Sequence, residues 1–108
     1  MQEDVMKLQQ YQQQVQVLLL QKQNIQIQLT EIENAIKILK ELKEGEEAYQ
    51  IVGNVMLKRE PGKLMKELEE RKEMLELRVK TIDKQVDSIT KKISELQEKI
   101  SKKGDKNG

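Results

Sequence analysis

The sequence predicts a mainly α protein, a long antiparallel coiled-coil helical hairpin with a small β-hairpin at its connection, whose strands other chains must complete. Three observations predict it. Two arms of similar length carry apolar residues at alternating intervals of three and four, a period of 3.5 that keeps one narrow stripe facing a partner helix. Between them the stretch "EEAYQIVGNVMLKREPG" brings β-branched residues, two glycines and the only proline together within residues 46–62. The composition, 36% hydrophobic and 36% charged with two Tyr and neither Phe nor Trp, suits thin helix-on-helix seams better than a globular core.

The first arm is expected over residues 1–44. Its stripe runs Leu8, Tyr11, Val15, Leu18, Lys22, Ile25, Leu29, Ile32, Ile36, Leu39, Lys43, interrupted only by the two lysines. Glu44-Gly45 closes it, because glycine readily takes the left-handed conformation just past a helix. The second arm is expected over 61–101, opening on Pro61 at a first-turn position where a missing N–H costs nothing. Its stripe runs Met65, Leu68, Lys72, Leu75, Val79, Ile82, Val86, Ile89, Ile93, Leu96, Ile100. Residues 102–108 continue without a period and are expected to form a flexible tail. The whole is one domain.

The two stripes match each other. In an antiparallel pair the numbers of facing residues add to a constant, and here the constant is 104: Leu8 faces Leu96, Val15 faces Ile89, Lys22 faces Ile82, Leu29 faces Leu75 and Ile36 faces Leu68. The intervening positions obey the same rule, Tyr11 with Ile93 through Leu39 with Met65. Each lysine then lies along an aliphatic neighbour while its ammonium reaches water. A register with constant 111 fits the same period, and a continuous parallel dimer with a central hinge is the rival architecture.

The insert, residues 46–60, reads as two strands, Ala48–Val52 and Val55–Arg59, around Gly53-Asn54, a pair suited to a type II′ turn. Val52, Val55 and Leu57 share one face; Tyr49, Ile51 and Met56 share the other. A hairpin with two apolar faces and two open edges invites further strands, so Tyr49, Ile51, Val52, Gly53, Val55, Met56 and Leu57 are the candidate oligomerisation residues. The plainer reading packs the turn on the ends of its own helices.

Apolar residues outside the stripe, Val5, Met6, Val17, Leu19, Leu20 and Ile27, stand where eleven of the first 28 residues are Gln. Such an uncharged surface suits adaptable binding of exposed apolar segments. Equally, a few surface hydrophobes are ordinary, or they pack on neighbouring subunits. Several function classes are disfavoured. Without His or Cys there is no imidazole base, no thiol nucleophile and no soft metal site. No phosphate-cradling glycine motif appears, so an enzyme is not expected, nor a cofactor. A net charge of +1 and no interleaved aromatics disfavour nucleic acid. No apolar run reaches membrane-spanning length. The absence of cysteine makes cytoplasmic residence the default.

The order coil, short hairpin, coil, with Tyr49, Val52, Gly53 and the strand Val55-Met56-Leu57-Lys58, resembles the prefoldin family, in particular its archaeal-like β-type subunit. The glutamine-rich "QQYQQQVQVLLLQKQNIQIQL" is similar to the β-type first helix. One departure is "EPG" at the start of the second arm, where the family more often places a Ser, Thr or Asp cap. The resemblance implies an ATP-independent holdase chaperone subunit. It would be one of four β-type chains assembled with two α-type chains into a hexamer whose hairpins form a β-barrel platform. It also implies that distal tips capture non-native polypeptides and deliver them to a group II chaperonin. Client contact would fall on Val5, Met6, Leu8, Leu96 and Ile100, with Leu19 and Leu20 from the off-stripe set. A coiled-coil scaffold or tether that binds one folded partner is the alternative.

Overall fold

The computed structural model describes residues 2–107, with side chains through Lys102. It contains α1 (Gln2–Lys40), β1 (Ala48–Val52), β2 (Val55–Arg59) and α2 (Pro61–Asn107), in that order. Two compact units result. One pairs residues 1–24 with residues 78–108; the other, Ile25–Leu77, holds the hairpin and the helix segments adjoining it.

In the first unit every stripe residue on both helices is buried or half-buried, with Ile82 the best enclosed at 4% exposure. The cross-helix contacts set its register. Lys22 Nζ lies 2.7 Å from Asp83 Oδ1, Lys99 Nζ lies 3.6 Å from Asp4 Oδ1, and the Lys92 ammonium sits 5.8 Å from the centre of the Tyr11 ring. These pairs add to 105, 103 and 103, which selects the 104 register over 111. Lys22 also does more than lead its ammonium into water: it takes a specific carboxylate beside its Ile82 layer. Asp4 is buried one step beyond Leu8 in the same stripe, so a carboxylate rather than a hydrophobe occupies that seam position.

The second unit is pinned in the same register by Lys72 Nζ, 3.9 Å from Glu33 Oε1. Its buried residues are Ile25, Ile32, Ile36, Ala48, Leu64 and Leu75. Ala48 and Leu64 lie outside the stripe and extend the apolar contact toward the strands. No large side chain among the described residues is fully enclosed, so each aliphatic layer contributes about 1.5–3 kcal/mol per buried side chain at most.

The helix ends differ from the sequence expectation, for visible reasons. Regular α1 stops at Lys40 rather than residue 44. There Glu41 and Leu42 N–H donate to the Ile38 and Leu39 carbonyls at 3.1 and 3.2 Å, the tighter three-residue pattern that closes a helix. Lys43 and Glu46 then bind reciprocally, with Lys43 N–H on Glu46 Oε1 at 2.9 Å and Glu46 N–H on the Lys43 carbonyl at 3.0 Å. Gly45, at φ +88°, turns the chain inside that bracket. At the other end α2 runs on past residue 101 to Asn107. A Glu98–Lys102 pair at 3.2 Å supports the exit, where positive charge also suits the helix dipole. Residue 108 of the expected tail lies outside the described residues.

The start of α2 is capped by Glu60, which the missing Ser, Thr or Asp had left unassigned. Its carboxylate accepts the Gly62 N–H at 3.0 Å and the Lys63 N–H at 2.8 Å, and its carbonyl accepts the Leu64 N–H. A Cβ on residue 62 would meet both Glu60 carboxylate oxygens at 3.3 Å, so glycine there leaves room for the carboxylate to fold over the helix end.

Candidate functional site

The strand pair forms in the expected register: Ala48 opposite Arg59, Tyr49 opposite Lys58, Gln50 opposite Leu57, Ile51 opposite Met56, Val52 opposite Val55. Gly53 has φ +59° and no other residue of the turn is positive, which matches type II′ and not type I′. The sheet has two strands only, so each has one unpaired edge. Apart from the buried Ala48, its apolar residues are uncovered on both faces, from Leu57 at 47% exposure to Ile51 at 70%. That is an exposed strand template, the kind of surface on which β-addition occurs.

Polar contacts hold this template in shape. Glu47 accepts the Tyr49 hydroxyl on one carboxylate oxygen and the Lys58 ammonium, at 3.0 Å, on the other. The Tyr49 bond, then Lys58, pulls the Glu47 carboxyl below its ordinary 4.5. The same carboxylate raises the Tyr49 hydroxyl and the Lys58 ammonium above their usual values. On the opposite face Arg59 Nη1 donates to Gln50 Oε1 at 2.6 Å, and Nη2 lies 2.7 Å from Glu67 Oε1 on α2. The strands are thereby joined to the first turns of the arm.

The residues proposed from the sequence for client contact separate into two groups. Val5, Met6, Leu19 and Leu20 stand on the surface of α1, Met6 and Leu20 about 60% exposed. Leu8, Leu96 and Ile100 are half-buried members of the seam. Met6, Gln10, Gln13, Val17 and Leu20 recur at four and three, giving α1 an uncharged second stripe outside the seam. On one flank of the first unit an open groove of about 660 Å³ is lined by Gln10, Gln13, Gln14, Val17, Leu18, Gln85, Ser88 and Ile89, with no charged residue among them. The pairing rule holds its signal: Gln14 and Gln85 have the same offset as Gln28 and Arg71, which are hydrogen-bonded at 3.4 Å in the other unit.

Among the described residues no three His, Cys, Asp or Glu side chains gather as a metal site. Among the same described residues no helix is long and apolar enough to cross a membrane.

Fold and surface thus define a class: a coiled-coil hairpin that exposes an unfinished β-hairpin. The chain belongs to the prefoldin family, since the family model described as "Prefoldin subunit" matches residues 2–107. It is 38% identical over 71 residues to the prefoldin subunit beta of Thermococcus onnurineus, covering 66% of this chain and 61% of that one. It is 40% identical over 77 residues to the subunit beta of Sulfurisphaera tokodaii, covering 71% and 62%. The matched stretch thus spans about three-fifths of these relatives' length. The crystal structure of the prefoldin beta subunit from Thermococcus strain KS-1 superposes with a TM-score of 0.83 at 33% identity, covering 94% of this chain and 89% of that one. The beta2 subunit of the same strain shares the fold, with a TM-score of 0.74 at 15% identity.

Proposed function

We propose that the chain is the β-type subunit of an ATP-independent holdase that binds non-native polypeptides and performs no catalysis. The observation that carries this reading is the surface of the first half of α1, where residues 8–21 carry no charged side chain. Met6, Val17, Leu19 and Leu20 stand exposed there among glutamines, so an apolar segment can bind without displacing a charged hydration shell. Val5, Leu8, Leu96 and Ile100 complete the client-contact set toward the end of the first unit.

The hairpin residues Tyr49, Ile51, Val52, Gly53, Val55, Met56 and Leu57 supply the assembly surface. Strands of other subunits, in a particle of two α-type and four β-type chains, complete it into a β-barrel platform. Several arms on one platform turn weak contacts into avidity by raising effective concentration. Captured chains are held from self-association by mass action and passed to a group II chaperonin in the cytoplasm.

The test is light scattering of a chemically denatured client diluted into the chain assembled with its α-type partner. Suppressed aggregation without nucleotide is expected; aggregation at the unassisted rate, or suppression only with ATP, sinks the reading. Removing residues 1–10 and 97–108 should leave assembly intact and weaken suppression, whereas a scaffold bound along its shaft would keep its partner.

A further inference from the structure

We propose that the neutral groove of the first unit takes an extended apolar segment of about six residues that carries a carboxylate at each end. The inference rests on the holdase reading and names the class of segment this part of the arm prefers.

The groove offers Val17, Leu18 and Ile89 as apolar surface and Gln14, Gln85 and Ser88 as neutral polar neighbours. Amide and hydroxyl side chains both donate and accept, so they can satisfy the backbone N–H and C=O groups of an extended chain whatever its sequence. None of the lining residues is charged, and the charges on this flank toward the groove's ends are mainly cationic. Arg78, Gln85, Lys92 and Lys99 recur at intervals of seven and so share one flank of α2. Arg78 stands at one end. At the other, Lys7, Lys92 and Lys99 line the adjoining hollow beside Tyr11, with Glu95 as the one carboxylate.

Lys99 is engaged by Asp4 and Lys92 lies over the Tyr11 ring. Among the described residues neither Lys7, Arg78 nor Lys92 has a carboxylate partner. The other flank of α2 carries Asp83, bound to Lys22, so cationic ends are particular to the groove's side. Arg78 and Lys92 are about 21 Å apart along the helix at 1.5 Å per residue. An extended segment covers that distance in about six residues at roughly 3.3 Å each. Apolar contact in the middle with carboxylates at both ends therefore matches the spacing and sign of this flank.

The experiment measures fluorescence anisotropy of labelled peptides on the full chain in its native assembly. Three peptides share a six-residue Val/Leu/Ala core and differ in flanks of Asp, Asn or Lys. The Asp-flanked peptide should bind about fivefold tighter than the Asn-flanked one at low ionic strength, and the Lys-flanked one most weakly. The gap should close near 0.5 M salt, roughly where the screening length falls below 5 Å. The double variant Arg78→Glu, Lys92→Glu should invert the order, and Gln85→Glu should weaken the Asp-flanked peptide alone; all three positions are exposed.

Equal affinities, an order unchanged in the double variant, or binding by none of the peptides overturns the assignment. Client aggregation measured on the same samples separates the two readings. Suppression without a peptide preference retains the holdase and rejects this groove. The preference without suppression supports the groove and rejects the holdase.

Discussion

Arg59 and Glu67 meet at 2.7 Å while the same guanidinium holds Gln50 at 2.6 Å. One partly buried side chain, 24% exposed, therefore ties β1, β2 and α2 together. Arg59→Met should lower unfolding free energy by about 1–2 kcal/mol, the scale of lost charge-assisted hydrogen bonds. Arg59→Lys should recover only part of it, since an ammonium cannot fork to two acceptors in a fixed plane. Denaturant titration of the three proteins checks the order.

Ile51→Lys with Val52→Lys places charge on both apolar faces of the hairpin. The assembled particle should dissociate while the arms stay helical. Sedimentation velocity and circular dichroism test this together; an unchanged sedimentation coefficient would count against assembly through the strands.

Seam and surface hydrophobes should behave differently. Ile82 is 4% exposed and Leu20 is 61% exposed. Truncating Ile82 to Ala should cost about 2–5 kcal/mol, whereas Leu20→Ala should stay within about 0.5 kcal/mol. In the aggregation assay the ranking should reverse at a temperature where both variants remain folded, Leu20→Ala being the more damaging.

Lys22 bears on register rather than on depth of packing. Replacing a paired, partly enclosed lysine with Met is often neutral or stabilising, yet polar seam positions select alignment. Lys22→Met should raise the melting temperature and loosen the choice between the 104 and 111 alignments. The chain has no native cysteine, so disulfide trapping is direct. Val15→Cys with Ile89→Cys should cross-link in the parent, and Val15→Cys with Leu96→Cys should gain yield only alongside Lys22→Met.

The Glu60 cap carries a pH dependence. The N–H groups of Lys63, then Gly62, hold its carboxyl below the ordinary 4.5. A folded-state value below the unfolded one means the cap's stabilisation is complete above about 4.5 and disappears as pH falls through the lower folded value. Glu60→Gln should melt lower than the parent at neutral pH, and the two should converge at the acid end. A gap that persists to the lowest pH would refute the assignment.

Much of this was legible in the residues because the coiled coil is nearly one-dimensional. A period of 3.5 on each arm and a constant sum between them place Val15 by Ile89 with no knowledge of the rest. The hairpin was legible for a similar reason: Gly53-Asn54 sets the turn, and a period of two sets the faces. Less legible were features that depend on side-chain reach. Arg59 finds Gln50 and Glu67 only once the twist of the strands has aimed it. Glu60 is a long side chain doing the work of a short cap, possible because residue 62 has no Cβ in the way. Asp4 could have been found by extending the stripe one step back from Leu8, but a carboxylate at a seam position does not read as part of an apolar pattern. The early finish of α1 reflects local hydrogen bonds around Lys43 and Glu46 that periodicity does not encode.

The seam of the first unit runs from Ile82, its best-enclosed residue, to Asp4, a carboxylate held by Lys99. Since it is only one side chain deep, water that enters a layer meets no second barrier behind it. Opening should therefore advance like a zip from the Asp4 end, and backbone amides should exchange with solvent deuterium in a graded series, fastest around residues 4–8 and slowest near Ile82.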